Sequence, residues 1–271
     1  MTEDAPHLLV SQEDNILIAT FNRPEKYNAI SSQVMRLLRE AVERFRDTPE
    51  FKVLLIRATG RYFSAGADLK EASSGGNGAP PVAVTGSGIR ESHRRLPMRS
   101  LWDEMEGIEK PIVVAHQGTC MGGGLEMSLS CDFRLASARA SYAFPESKFG
   151  VLPATNGVSR LTRIVGAHWA RYLVMANLPA DAQKALIMGL VHEVYPDETF
   201  EEDVMKFCRH VAKQNGEQMG VAKITIEMAQ DLNAHQAAAA ERMANSALML
   251  MPQYQELTKA HVANIGKGKG Y

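Results

Sequence analysis

Disulfide bonding is the first thing this sequence lacks the means for. Its three cysteines, Cys120, Cys131 and Cys208, form no CxxC pair and leave at least one thiol over. That excludes a disulfide framework and fits a reducing compartment. There is no long basic run, and the formal net charge is −1, which argues against electrostatic binding to nucleic acid. No apolar run approaches the ~20 residues a bilayer-spanning helix needs. The first residues, MTEDAPHLLV, are acidic and lack both a charged-then-apolar signal and an Arg-rich transit pattern. The expectation is a soluble cytoplasmic protein with neither a membrane nor a nucleic-acid partner. Nucleophilic hydrolysis is disfavoured because GxSxG is missing, and no HExxH or other ligand cluster suggests a metal. The GSG at 86–88 has neither a preceding strand nor the third glycine of a nucleotide fingerprint.

What is present begins with size. A chain of 271 residues, 45% hydrophobic and 23% charged, can bury a sizeable core in one large domain or two unequal ones. Asn15–Phe21 (NILIATF) reads as a strand hairpinned to Leu8–Ser11, and Asn22–Ile30 (NRPEKYNAI) as a proline-containing loop. Ser31 or Ser32 offers an N-cap to a helix with Val34, Leu37, Leu38, Ala41, Val42 and Phe45 at helical spacing, ended by Pro49. Val53–Ala58 is a short apolar strand. Tyr62–Glu71 (YFSAGADLKE) turns at Gly66 and starts a helix near Asp68. Residues 72–88, rich in Gly, Ser and Pro, read as a long lid or binding loop. Ile89–Glu109 reads as a helix bent at Pro97, with Leu101, Met105 and Ile108 as its core stripe.

The chain is organised around His116–Asp132 (HQGTCMGGGLEMSLSCD), entered by the apolar run Pro111–Ala115. Gly122, Gly123 and Gly124 break the regular structure, and a helix over Leu125–Ser130 carries Glu126. Glycines at such a junction allow close backbone approach, because no Cβ intervenes. The first N–H groups of the following helix lack internal partners and suit an anion or a polarised carbonyl. Glu126 follows Gly123 by roughly one helical turn, so carboxylate and N–H could face one point. A plain glycine turn with a solvated glutamate fits these residues equally well. The recurrence of the device at Gly66 favours function, since two junctions supply the two donors of an oxyanion hole.

Phe133–Ser137 and Ser141–Phe144 read as strands, the second ended by Pro145. Glu146 follows at the strand's mouth, a position where a glutamate is usually solvated. Ser159–Val165 begins a helix, and from His168 onward nearly everything reads as helix. Asp181 caps Ala182–Met188, and Phe200–Gln214 and Ala222–Leu250 follow. Pro252 then opens a last segment to Ile265 before a frayed tail. Composition shifts near residue 195 from mixed α/β to all-α.

Four motifs together, NRPEKYNAI (22–30), FSAGADLKE (63–71), HQGTCMGGGLEMSLSCDFRLAS (116–137) and FPESKFGVLPATNGVSRL (144–161), resemble the crotonase, or enoyl-CoA hydratase/isomerase, superfamily. The resemblance covers the first 195 residues and is closest to enoyl-CoA hydratase. It implies an α/β fold, a crotonase-like spiral of ββα units over 1–195 carrying the acyl-CoA site. A helical oligomerisation region over 196–271 would then assemble a homotrimer or dimer of trimers. It implies an oxyanion hole from the N–H groups of Ala67 and Gly123, and catalytic glutamates at Glu126 and Glu146. Lys26, Ala65, Ala67, Asp68, Leu69, Lys70 and Gly123 would contact the acyl-CoA, which is substrate, so that no separate cofactor or metal is called for. The implied activity is that of a hydro-lyase, syn addition of water to a trans-2-enoyl-CoA. The alternatives are another acyl-CoA reaction of the superfamily (isomerase, lyase or hydrolase) or a silent acyl-CoA- or RNA-binding relative. Asn156 stands where the family usually has glycine.

Overall fold

The computed structural model describes residues 5–73 and 97–265. Most of the 72–88 loop, the start of the 89–109 helix and the terminal tail lie outside the described residues. The chain divides into two compact units, Met1–Lys213 and Gln214–Tyr271.

The first unit is built on two sheets. β1 (Leu8–Glu13) and β2 (Ile16–Phe21) form the expected hairpin. β3 (Val53–Ala58), β5 (Ile112–His116), β7 (Phe133–Ser137) and β10 (Glu193–Tyr195) extend it in parallel, in the order β1-β2-β3-β5-β7-β10. The uninterrupted apolar runs of β2, β3 and β5 are what parallel strands covered on both faces require; every residue of β2 and β5 is buried. A smaller sheet takes β4 (Tyr62–Ser64), β6 (Thr119–Met121), β8 (Ser141–Ala143) and β9 (Ala180–Asp181), in that order. Successive strands thus alternate between the sheets: β3 then β4, β5 then β6, β7 then β8. Each pair leads into helical structure: α2 (Leu69–Ser73), α4 (Gly123–Ser128), and a 3₁₀ segment (Pro145–Phe149) followed by α5 (Gly157–Ala170). This is the repeated ββα plan.

α1 (Ser32–Asp47) is capped by Ser31, whose hydroxyl accepts from Val34 N. It buries Val34, Leu38, Ala41, Val42 and Phe45, while Leu37 is only partly buried. Thr48, before Pro49, is extended and closes the helix. α3 (Pro97–Gly107) buries Leu101, Trp102 and Met105, and Ile108 is buried just beyond it. Asp181 caps α6 (Ala182–Ile187) by accepting from Lys184 N. α7 (Phe200–Ala212) buries Phe200, Val204, Met205, Cys208 and Val211, and it contacts β2, β3 and β7. Through α7 the first unit reaches Lys213, beyond the compositional shift at 195.

Several expectations change in detail. Of the three glycines only Gly122 is non-helical, at φ 54°; Gly123 and Gly124 belong to α4, which starts two residues earlier than its apolar pattern. β6, β9 and β10 are strands of three residues or fewer that the pattern does not mark. Their pairing comes from neighbouring strands rather than from their own side chains. The long helix over 222–250 is two, α8 (Gly216–Asp231) and α9 (Ala234–Leu250). Asn233 and Gln236 form a capping box at the break, a signal present in the sequence. α10 (Pro252–Asn264) completes the second unit.

Candidate active site

Two strand-to-helix junctions, β4–α2 and β6–α4, meet at Gly66 and Gly122–Gly123. Gly66 has φ 88°, and a Cβ there would lie 3.1 Å from both Gly123 N and Met121 O. A Cβ on Gly123 would lie 3.5 Å from Ala67 N and 3.6 Å from Met98 Cε. At Gly66 this approach needs the missing side chain, whereas at Gly123 a Cβ would make only ordinary van der Waals contact. Gly124 lets α4 sit on β4, since a Cβ there would come within 2.6 Å of Ser64 Cβ.

The hydrogen bonding around Ala67 leaves its amide on the open side. Ile30 N donates to Gly66 O at 2.8 Å and Asp68 N to Ile30 O at 3.1 Å, forming a parallel bridge between Ile30 and Ala67. Amides alternate in direction along an extended chain, so Ala67 N–H points away from that bridge. Gly123, as the first residue of α4, has no intrahelical acceptor for its own N–H. The Ala67 and Gly123 amides thus lie at adjoining junctions, a Cβ on Gly123 standing 3.5 Å from Ala67 N.

Glu126 lies in the first turn of α4 and is 5% exposed. Its Oε1 accepts from Thr155 N at 2.8 Å. Burial pushes its pKa up, opposed by hydrogen bonds from Thr155 and Gly157 and by the charge of Arg160. Glu146 reaches the same junction from the other side. Phe144 is extended, Pro145 opens the 3₁₀ segment, and Glu146 Oε1 comes within 3.0 Å of where a Cβ on Gly122 would stand. Gly122 N also donates to Ala143 O at 3.1 Å, tying the donor junction to the end of β8. Glu146 Oε2 is buried and has no hydrogen-bond partner among the described residues. Burial raises the Glu146 pKa to about 7, partly offset by its own backbone N–H and reinforced by the charge of Glu126. The structure thus brings together two carboxyls, one held by donors of the Thr155–Gly157 turn and the other with a buried oxygen, Oε2, that no described residue meets. One ionised and one protonated group is the arrangement such an environment favours.

The remaining sequence-derived residues gather beside this point. Lys26, Asp68 and Lys70 line a cleft of about 420 Å³ together with His7, Arg23, Ser31, Gln33 and Glu71. The Asp68 carboxylate is internally engaged. Oδ2 accepts from Arg23 Nη1 at 2.6 Å, and Oδ1 caps α2 by accepting from Lys70 N and Glu71 N. Arg23 and these hydrogen bonds hold its pKa below the ordinary value despite burial. Leu69 is 58% exposed, and Ala65 N donates to Tyr27 O at 2.9 Å. Three residues given no role by the sequence also touch the site: Met98, outside the motifs, over Gly123, and Thr155 and Gly157, inside the last motif, on Glu126.

The family model described as enoyl-CoA hydratase/isomerase matches residues 11–262. The 2,3-dehydroadipyl-CoA hydratase of Escherichia coli is 28% identical over 235 residues, 87% of each chain. The carnitinyl-CoA dehydratase of Salmonella enteritidis is 34% identical over 208 residues, 76% of this chain and 73% of its own. A crystal structure of an enoyl-CoA hydratase subunit from Geobacillus kaustophilus superposes with a TM-score of 0.85 at 28% identity, covering 95% of both chains. With a match over nearly its whole length, the two-sheet ββα fold and the paired junctions, the chain belongs to the enoyl-CoA hydratase/isomerase family.

Proposed function

We propose that the protein is an enoyl-CoA hydratase that adds water in syn fashion across a trans-2-enoyl-CoA to give a 3-hydroxyacyl-CoA. The observation that carries this reading is the pair Glu126 and Glu146 on either side of the Ala67–Gly123 donors. The donors alone would suit any thioester enolate.

The thioester carbonyl accepts from Ala67 N–H and Gly123 N–H. Water lies between the two carboxyls. Glu126, ionised and held by Thr155, takes a proton from the water as its oxygen bonds to the β-carbon. The π electrons move to the carbonyl oxygen, where the two donors meet the negative charge that develops. Glu146, protonated, gives its proton to the α-carbon on the same face. The proton gained by Glu126 then passes to Glu146 and restores the starting state. Lys26 and Lys70 meet the CoA phosphates, and Ala65, Asp68 and Leu69 contribute backbone and apolar contact along the CoA. The Asp68 carboxylate acts internally, fixing Arg23 and α2. In this reading the protein assembles as a homotrimer or dimer of trimers through its C-terminal helices.

Glu146→Gln keeps the shape and removes the transferable proton. Hydration in this variant is expected to fall to a trace while acyl-CoA binding, measured by calorimetry, persists. Near-normal turnover would sink the assignment.

A further inference from the structure

Asn156 stands in the turn between the 3₁₀ segment and α5, and its environment gives it a use. It adopts left-handed backbone geometry, φ 67° and ψ 17°, immediately before α5. Its amide Nδ2 donates to Asp103 Oδ1 on α3 at 2.8 Å. The same oxygen accepts from Arg160 Nη2 at 2.6 Å. Arg160, 4% exposed, also donates from Nε and Nη2 to the two carboxylate oxygens of Glu106, at 3.2 and 2.9 Å. Its Nη1 donates to Thr155 O at 3.1 Å. Between these anchors lies the turn that touches Glu126. Thr155 N donates to Glu126 Oε1, and a Cβ on Gly157 would stand 2.6 Å from the same oxygen.

We propose that Arg160 and Asn156, both anchored on Asp103 and Arg160 also on Glu106, are positioning residues that clamp the Thr155–Gly157 turn against Glu126. They act through the turn rather than on substrate. Arg160 fixes the carbonyl side of Thr155 with a planar fork that a lysine cannot reproduce. Asn156 itself takes a left-handed conformation open to few residues besides glycine, and its amide ties that turn to Asp103. Together they keep the Thr155 N–H aimed at Glu126 Oε1 and Gly157 packed against the same carboxyl, contacts that favour the ionised form. The consequence for the reaction, that Glu126 stays the base while Glu146 carries the proton, rests on the hydratase reading. The clamp itself does not.

The charged groups around Glu126 set the test. Glu146 faces it from the 3₁₀ segment and Arg160 from α5. Behind Arg160 stand Asp103 and Glu106, with Arg99 3.7 Å from Asp103. Titrating Glu126 by carboxyl ¹³C NMR, in ligand-free protein carrying Glu146→Gln, removes coupling between the two acids. Loss of the signal in Glu126→Gln assigns it. In that background Arg160→Lys is expected to raise the Glu126 midpoint by about 1 pH unit, the scale of one hydrogen bond to a charged acceptor. Asn156→Gly, which removes the amide without straining the backbone, is expected to raise it less and to melt within a few degrees of the parent. An unchanged midpoint in either folded variant overturns the proposal, as does a shift that appears only where near-UV circular dichroism shows lost packing. Because the titration needs no substrate, a shifted midpoint alongside a wild-type protein that fails to hydrate enoyl-CoA would sink the hydratase reading and leave the clamp. An unshifted midpoint alongside a wild-type protein that does hydrate it would do the reverse.

Discussion

Gly123 concentrates the account into one residue. Its backbone is helical, and alanine is the better helix former by about 0.8–1 kcal/mol. A Cβ would meet Ala67 N and Met98 at ordinary van der Waals distance, 3.5 and 3.6 Å. The methyl of Gly123→Ala would therefore fit the fold while filling the space where the carbonyl oxygen must sit. The variant is expected to melt at or above the wild-type temperature and to lose about 10²–10³ in kcat/KM, the cost of an oxyanion donor. Activity within tenfold of wild type would show that the oxygen binds elsewhere. The glycine run is legible in the sequence, as is the recurrence at Gly66. The division of labour is not: Gly122 turns the chain, Gly123 clears the donor site and Gly124 clears Ser64. All three look alike until the partner strand is in place. The same holds for Glu146, which by itself reads as a solvated residue after a proline. Only the folded chain brings it to Gly122.

At the scale of elements, the cleft between the 24–26 turn and α2 follows from Asp68. By pairing with Arg23 and capping α2, it holds the two cation-bearing segments together, which leaves Lys26 and Lys70 lining the cleft. Lys26→Ala is expected to raise KM for an acyl-CoA by about 2–5-fold, the worth of one exposed charge pair. Turnover at saturation should hold, and the defect should shrink as salt screens the phosphates. A fall in kcat with unchanged KM would contradict this placement. The long elements were readable because their apolar spacing is set by burial: α1 with its Ser31 cap, and the apolar strands β2, β3 and β5. Strands of three residues or fewer, such as β6 and β10, carry no period to read, and they exist because β4 and β7 offer edges. The break at Leu232–Asn233 was readable in principle, since Asn233 and Gln236 spell a capping box inside an otherwise helical run.

For the whole molecule, the half-buried carboxyl of Glu146 links stability to pH. Its pKa stands at about 7 against an ordinary value of 4.5. Between those values the folded chain binds more protons than the unfolded one, so this group's contribution to stability falls as pH rises through the window. Glu146→Gln removes that dependence. Relative to wild type, its melting temperature is expected to rise between pH 4.5 and 7 and to level off above; a difference independent of pH would contradict a raised pKa. The C-terminal unit leaves Ile226, Met243, Leu250 and Ile265 at least 60% exposed in the single chain, apolar side chains that the proposed oligomer would cover. Light scattering is expected to give three or six times the 29.8 kDa chain mass, and a monomer at micromolar concentration would refute the oligomer. The ββα spiral itself was not derivable from a sequence repeat, because its turns share a strand alternation rather than similar residues; the four motifs carried it by resemblance.

The central claim, that two glutamates and two backbone donors add water to a conjugated thioester, is tested most directly with a conjugated enoyl-CoA and the intact protein. The absorbance of the conjugated thioester and the product mass are followed together. The account predicts loss of that absorbance with a mass gain of one water, abolished in Glu146→Gln. A deconjugated product of unchanged mass, or free CoA, would contradict it.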